Sequence, residues 1–119
     1  MTMNVGIDIL EISRFSKLEN DKIKLKKIFT KSEIEYFNKF SNKLIHMAGI
    51  FCAKEAFVKA LKVGFNNGIT PTDVEILHNE NGSPYVNITE KLKTFISNKN
   101  IDISISHSNT DATAICIIM

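Results

Sequence analysis

The chain lacks most of the features that mark a membrane, secreted or nucleic-acid-binding protein. No apolar run is long enough to span a bilayer, so no membrane span is predicted. There are only two cysteines, Cys52 and Cys116, with no CxxC spacing and no partner cluster. Each sits in an apolar run, which predicts buried free thiols and fits a reducing cytoplasm. Charge of one sign is also scarce: a net +2 and a pI near 8.5 fall well short of the basic excess of a nucleic-acid binder. The first eight residues contain no basic stretch and place Asp8 inside their apolar segment, unlike a signal peptide. Repeats, low-complexity tracts and linkers are missing too. Arginine is almost absent, with Arg14 standing alone beside 14 lysines.

What is present suits one domain over residues 1–119, since that length with 44% hydrophobic residues can bury a core. Met3, Val5, Ile7 and Ile9 alternate with Asn4, Gly6 and Asp8, the period-two pattern of a strand with one face on a core. On that reading Asp8 points away from the core-facing set. Residues 12–28 read as two short helical pieces. Thr30 and Glu33 form a capping box that opens a helix through about Lys39, and Ser41 is placed to cap a long helix ending near Gly64. After a loop over residues 66–71, a strand is expected over 72–79, then an Asn81-Gly82 turn and a returning strand from Pro84 to Ile88. Thr89 caps a helix carrying Leu92, Phe95 and Ile96. The strands Ile101–His107 and Ala112–Ile118 close the chain as a second hairpin. Helices early and antiparallel strands late predict an α+β fold in which a long central helix packs on an antiparallel sheet.

The long helix carries the most informative stretch, Ala53 to Leu61. Met47, Ile50, Phe51, Phe57, Val58, Leu61 and Phe65 form its apolar stripe, and Lys54 falls near the centre of that stripe with Glu55 and Lys59 along one flank. Buried charge is costly unless paired, hydrogen-bonded or bound to an ion, so this helix is expected to face a polar site. Asp8 and Glu55 are 47 residues apart, and spacing alone does not bring them together. Together they would suit Mg²⁺ bound with a phosphate-bearing substrate. Apart, they read as a turn-capping aspartate and a surface pair of Glu55 with Lys59. Lys59 can offer a point charge to a phosphate, and Lys54 can offset charge beside a metal. On the late strand, Ile101, Ile103, Ile105 and His107 share one face and Ser104, Ser106 and Ser108 the other. The histidine there reads first as a packed residue and the serines as exposed or ligand-facing.

These stretches resemble, in order, the motifs of the holo-acyl-carrier-protein synthases, the small 4′-phosphopantetheinyl transferases. The matching segments are Gly6 to Phe15, Phe29 to Glu33, Ala48 to Leu61, Asn81 to Pro84 and Ile103 to Ser108. The resemblance implies transfer of the phosphopantetheine arm of coenzyme A to a serine of apo acyl carrier protein, with release of adenosine 3′,5′-bisphosphate, in fatty acid biosynthesis. It implies Asp8 and Glu55 as Mg²⁺ ligands and Asp8, Glu55 and Lys59 as the catalytic set, with Glu55 or a metal-bound water as the base. Lys54, Lys59, Gly82, Pro84, Ser104, Ser106 and His107 are then the expected coenzyme contacts. It further implies a homotrimer with the coenzyme between neighbouring subunits.

Seven basic residues lie between Arg14 and Lys31, against Glu19 and Asp21. They read either as a solvated face or as a surface for an acidic partner. The resemblance places the carrier protein there, with Arg14, Lys17 and Lys22 as contacts; the planar guanidinium suits a bidentate carboxylate. A non-catalytic module binding acidic proteins through this surface is the alternative. One position departs from the family pattern. Many members carry an arginine where this chain has Ile50, and Lys43 or Lys62 are the sequence's candidates to replace its phosphate contact.

Overall fold

The computed structural model describes residues 2–65 and 67–119, so Asn66 of the expected loop lies outside the described residues. In order along the chain come β1 (Asn4–Glu11), a 3-10 turn (Ile12–Phe15), α1 (Lys22–Ile28), α2 (Lys31–Phe37) and α3 (Lys43–Ala60). A second 3-10 turn (Pro71–Asp73), β2 (Ile76–His78), β3 (Pro84–Val86), α4 (Glu90–Ile96), β4 (Ile101–His107) and β5 (Asp111–Ile118) follow. The strands make a three-stranded antiparallel sheet in the order β1-β5-β4 and a separate β2-β3 hairpin. This is the α+β architecture expected, with a long helix on an antiparallel sheet.

Helix α3 is covered on both sides. Toward the sheet it presents small residues: Gly49 lies against Ile105, the Cys52 thiol donates to the Ala112 carbonyl at 3.4 Å, and Ala56 and Ala60 meet Gly6. A Cβ on Gly6 would collide with the Ala56 carbonyl oxygen and come within 2.6 Å of the Ala60 nitrogen. Only glycine lets β1 cross the helix at this depth. On the other side Met47, Ile50, Phe57 and Val58 join Phe29, Phe37, Ile69, Ile76 and Leu92 in the core.

Lys54 lies in the middle of that second layer, fully buried. Its ammonium uses all three of its donors: Glu33 Oε1 at 2.7 Å, the Pro71 carbonyl at 2.7 Å and the Val74 carbonyl at 2.8 Å. Glu33, equally buried, also accepts from the Thr30 and Ile76 amides at 2.8 and 2.7 Å. The predicted capping box is present, and its glutamate is one half of a buried ion pair. Burial presses the Glu33 carboxyl up and the Lys54 ammonium down, while each charge and its hydrogen bonds pull the other back.

Several boundaries differ from the sequence reading. Helix α3 begins after Asn42, which makes no side-chain cap, rather than at a Ser41 cap. It ends at Ala60 because Lys62 turns into the left-handed region at φ 65. The strand expected over 72–79 is shortened to β2, because a 3-10 turn from Pro71 to Asp73 takes its start, where the Thr70 amide donates to Asp73 at 2.8 Å. The faces of β1 are also reversed. Asp8 does oppose Val5, Ile7 and Ile9, but Gly6 and Leu10 face the helix with it, whereas Val5, Ile7 and Ile9 are 45, 60 and 69% exposed.

Removing one partner of the buried pair leaves an uncompensated charge, so Lys54→Met is expected to lower unfolding free energy by roughly 3–5 kcal/mol in urea titrations. The double variant Lys54→Met/Glu33→Gln should cost less than the two single changes added together.

Candidate functional site

The reversed strand brings Asp8 to the helix. Lys59, one turn beyond Glu55 on α3, donates to Asp8 Oδ1 at 3.1 Å and to the Ile7 carbonyl at 3.0 Å. Asp8 is held from the other side, where the Thr113 hydroxyl of β5 donates to its backbone carbonyl at 2.7 Å. The carboxyl of half-buried Glu55 is raised above its ordinary value, first by burial and then by the like charge of Asp8, with Lys59 and Arg14 pulling it back. Arg14 sits on the 3-10 turn that follows β1. Asp8, Lys59 and Arg14 therefore all act electrostatically on Glu55, although strand, turn and helix supply them separately.

Behind this group lies Cys52, fully buried, its thiol pushed up to about 12 by burial and then by Asp8. Cys116 is also pushed up to about 12, chiefly by burial. Both are free thiols that stay protonated at neutral pH, so neither is a nucleophile here.

The donor set passes a chemical test for a hard divalent cation. Two neighbouring carboxylates disfavour each other's charge, and a cation between them would relieve that. No cluster of three His, Cys, Asp or Glu donors occurs among the described residues. Such a pair suits an ion whose remaining positions are filled by water and phosphate oxygens.

The expected coenzyme contacts fall into three places. Gly82, Pro84 and His107 line one cavity, beside Tyr36, His46, Ile50 and His78. Gly82 turns the β2-β3 hairpin at φ +90. Ser104 and Ser106 line another, on the outer face of the sheet with Ile7, Thr113 and Ile115. Lys59 alone lies beside the carboxylates. Lys54 is corrected: expected beside the ligand, it points into the core away from Asp8, and its ammonium has no donor left for a phosphate. Neither Lys43 nor Lys62 is among the residues around Ile50 in the first cavity.

A groove of about 280 Å³ runs beside Phe51 of α3 and is lined by Arg14, Lys17 and Lys24, with Asp21 the acidic group among them. Lys22 is exposed on α1 outside this lining. Sequence reasoning missed three participants. Gly6, whose missing side chain admits β1 to the helix, is visible in sequence only as a small residue between β-branched ones. His46 and His78 carried no motif, and only folding brings them to His107.

Solved and curated proteins place this arrangement. The chain is 48% identical over 123 residues to the holo-[acyl-carrier-protein] synthase of Clostridium botulinum, covering 99% of this chain and 98% of that one. The structure of Helicobacter pylori holo-[acyl-carrier-protein] synthase in complex with coenzyme A superposes with a TM-score of 0.84 at 31% identity, covering 97% of this chain and 99% of that one. The Bacillus anthracis synthase in complex with CoA (3′,5′-ADP) gives 0.82 at 29%, covering 98% and 97%. The fold and these relatives define a small α+β transferase. The model of the 4′-phosphopantetheinyl transferase superfamily matches residues 4–116, and the chain belongs to that family.

Because Asp8 helps hold the Glu55 carboxyl up, Asp8→Asn should lower the Glu55 titration midpoint in metal-free protein, read by carboxyl carbon NMR. An unchanged midpoint would mean that the two groups do not interact.

Proposed function

We infer that residues 1–119 act as one holo-acyl-carrier-protein synthase domain, with Asp8, Glu55 and Lys59 as its reacting groups. The reaction transfers the 4′-phosphopantetheine arm of coenzyme A to a serine hydroxyl of apo acyl carrier protein and releases adenosine 3′,5′-bisphosphate. The observation that carries the residue assignment is the Lys59 contact to Asp8 with Glu55 one turn away on the same helix, in a chain of this family.

The serine oxygen attacks the phosphorus bearing the pantetheine. The bond from that phosphorus to the bridging oxygen of the nucleotide breaks, and the hydroxyl proton leaves. Glu55, on the same helix as Lys59, or a water beside it is the base that takes that proton. Lys59, half exposed and steered by Asp8 and the Ile7 carbonyl, faces the charge that gathers on the departing phosphate and can give it a proton. Asp8 and Glu55 would hold Mg²⁺, which supplies charge neutralisation to the pyrophosphate when bound. Positioning and charge neutralisation account for most of the rate in such transfers.

The carboxylate group and the Gly82, Pro84 and His107 cavity lie at opposite edges of the β1-β5-β4 sheet. In the assembly proposed, a coenzyme touching both kinds of contact bridges two copies. The outer sheet face supports that assembly, because exposed Val5, Ile7 and Ile9 pair in register with Ile117, Ile115 and Thr113 to form an apolar surface. A homotrimer joined through this face, working in the cytoplasm, is the assembly proposed. Arg14, Lys17 and Lys24 around their groove, with Lys22 nearby on α1, form the face for the acidic carrier. The binding-module alternative accounts for this face but leaves the Asp8, Glu55 and Lys59 group without a purpose.

Incubation with coenzyme A, Mg²⁺ and apo carrier, followed by weighing the carrier, tests the chemistry. A gain of one phosphopantetheine is expected, absent with EDTA and slowed at least about 100-fold by Asp8→Ala or Glu55→Ala. Arg14→Ala should instead raise the carrier concentration needed for half-maximal rate. No mass gain with the unaltered chain would overturn the function. For the assembly, Ile7→Asp is expected to sediment as a monomer and to lose transfer, and an intact trimer would refute the proposed interface.

A further inference from the structure

The sequence contains two Asn-Gly pairs, Asn67-Gly68 and Asn81-Gly82. Glycine after asparagine leaves the next backbone nitrogen open to the asparagine side chain, because no Cβ shields it. That nitrogen can attack the carboxamide carbon and close a five-membered succinimide ring. In each pair both residues are exposed, and each glycine holds a positive φ, +95 at Gly68 and +90 at Gly82. Residue type, exposure and backbone region therefore do not separate the two sites. Hydrogen bonding does.

Asn81 lies in the turn of the β2-β3 hairpin. The Gly82 amide, whose nitrogen would attack, donates to the Asn79 carbonyl at 2.9 Å and closes the turn, and the Asn79 amide donates to the Ser83 carbonyl at 2.9 Å beside it. The carboxamide that would be attacked is tied as well. Its Oδ1 accepts from the Ser83 amide at 3.0 Å and from the Ser83 hydroxyl at 2.7 Å, and that hydroxyl accepts in turn from Asn79 Nδ2 at 2.9 Å. Reaction here requires the turn to open, since the nitrogen must shed its proton and swing onto the side-chain carbon.

Asn67 lies in a bend on the connection from α3 to the second 3-10 turn, outside any helix or strand. Its carboxamide has a single contact among the described residues, from Nδ2 to the Gly64 carbonyl at 3.5 Å. That is longer than the roughly 2.7–3.2 Å of a well-formed N–H···O bond. The Gly68 amide donates to no backbone carbonyl among the described residues. Firm packing begins just beyond. Ile69 is fully buried, and a Cβ on Gly68 would lie 3.6 Å from the Phe95 ring.

We propose that Asn67 is a site of spontaneous deamidation, and that the hydrogen bonds of the hairpin turn spare Asn81 although it stands in the same sequence pair. The Gly68 nitrogen gives its proton to solvent and bonds to Asn67 Cγ. The bond from Cγ to Nδ2 breaks, and the departing group takes up a proton and leaves as ammonia. Water then adds to the succinimide. Opening at one carbonyl leaves an ordinary aspartyl residue, and opening at the other leaves an isoaspartyl linkage whose main chain runs through Cβ and Cγ. Either product takes one unit from the net +2 charge, and the second also lengthens the main chain by a carbon. Because the nitrogen must first lose a proton, the rate rises with pH. Neither metal nor coenzyme takes part, so the inference stands apart from the function proposed above.

Incubation of the full chain at 37 °C in water enriched in oxygen-18, at pH 7.0 and 8.5, tests this when followed by peptide mass mapping. Label is expected to enter residue 67 at least about tenfold faster than residue 81, and faster at the higher pH. In guanidinium chloride, where the turn is open, the two positions should react at comparable rates. Asn67→Gln, checked for folding by circular dichroism, should remove the fast site. Equal rates at the two asparagines of the folded chain, a faster rate at Asn81, or no conversion of Asn67 in the time the unfolded chain takes to react would each overturn the proposal. A difference that persisted in the unfolded chain would place its cause in the flanking sequence and overturn the protective role of the turn.

Discussion

The buried contact between Lys54 and Glu33 sets the relation between the two halves of this molecule. One ammonium joins the middle of α3 to the first turn of α2 and to the carbonyls of Pro71 and Val74, and the carboxylate it meets also holds the Thr30 and Ile76 amides. Such a pair adds little net stability over an apolar substitute of similar volume, because desolvation offsets most of the attraction. What it enforces is position. An arrangement that left either charge unmatched in the core would be heavily penalised, so α2, the 3-10 turn and β2 have one way to sit on α3. Glu75 extends the network, accepting from the Thr30 hydroxyl at 2.6 Å and from the Asn87 side chain at 3.0 Å.

With that face of α3 occupied, the sheet takes the other, and the distance between them is set by small side chains. Gly6 against Ala56 and Ala60 lets the backbone of β1 lie directly on the helix. The grouping of Asp8, Glu55 and Lys59 is a consequence. Asp8, two residues on and on the same face as Gly6, reaches Lys59 within hydrogen-bond distance, close enough to the Glu55 carboxyl to raise it. A site built on a strand and a long helix, each held by core packing, keeps its groups in place without relying on loops. The cost of this depth is that the apolar residues of β1 face outward, where they need a partner surface.

Much of the local structure could be read from sequence because it depends on neighbours along the chain. The Thr30 to Glu33 capping box, the Thr89 cap and the Gly82 turn all appear where side-chain chemistry demands them. Lys54 was legible as a charge inside an apolar stripe, but not in purpose: the pattern marks a buried charge and cannot name a partner 21 residues away. The faces of β1 were misread for a related reason. Alternation separates two faces and does not say which one meets the chain's own core, and here the more apolar face is the exposed one.

Sequence by itself determined the α+β class, the element order, the buried thiols and, through motifs in register, the family and the residues at issue. All of these rest on local propensity, on burial pattern, or on residue types in fixed order. Tertiary structure alone decided that Asp8 meets Lys59, that Lys54 belongs to the core, and that three histidines from separate elements share one cavity. Such facts depend on which face of each element is turned inward and how closely two backbones approach, quantities fixed by packing across the whole chain and carried by no single segment.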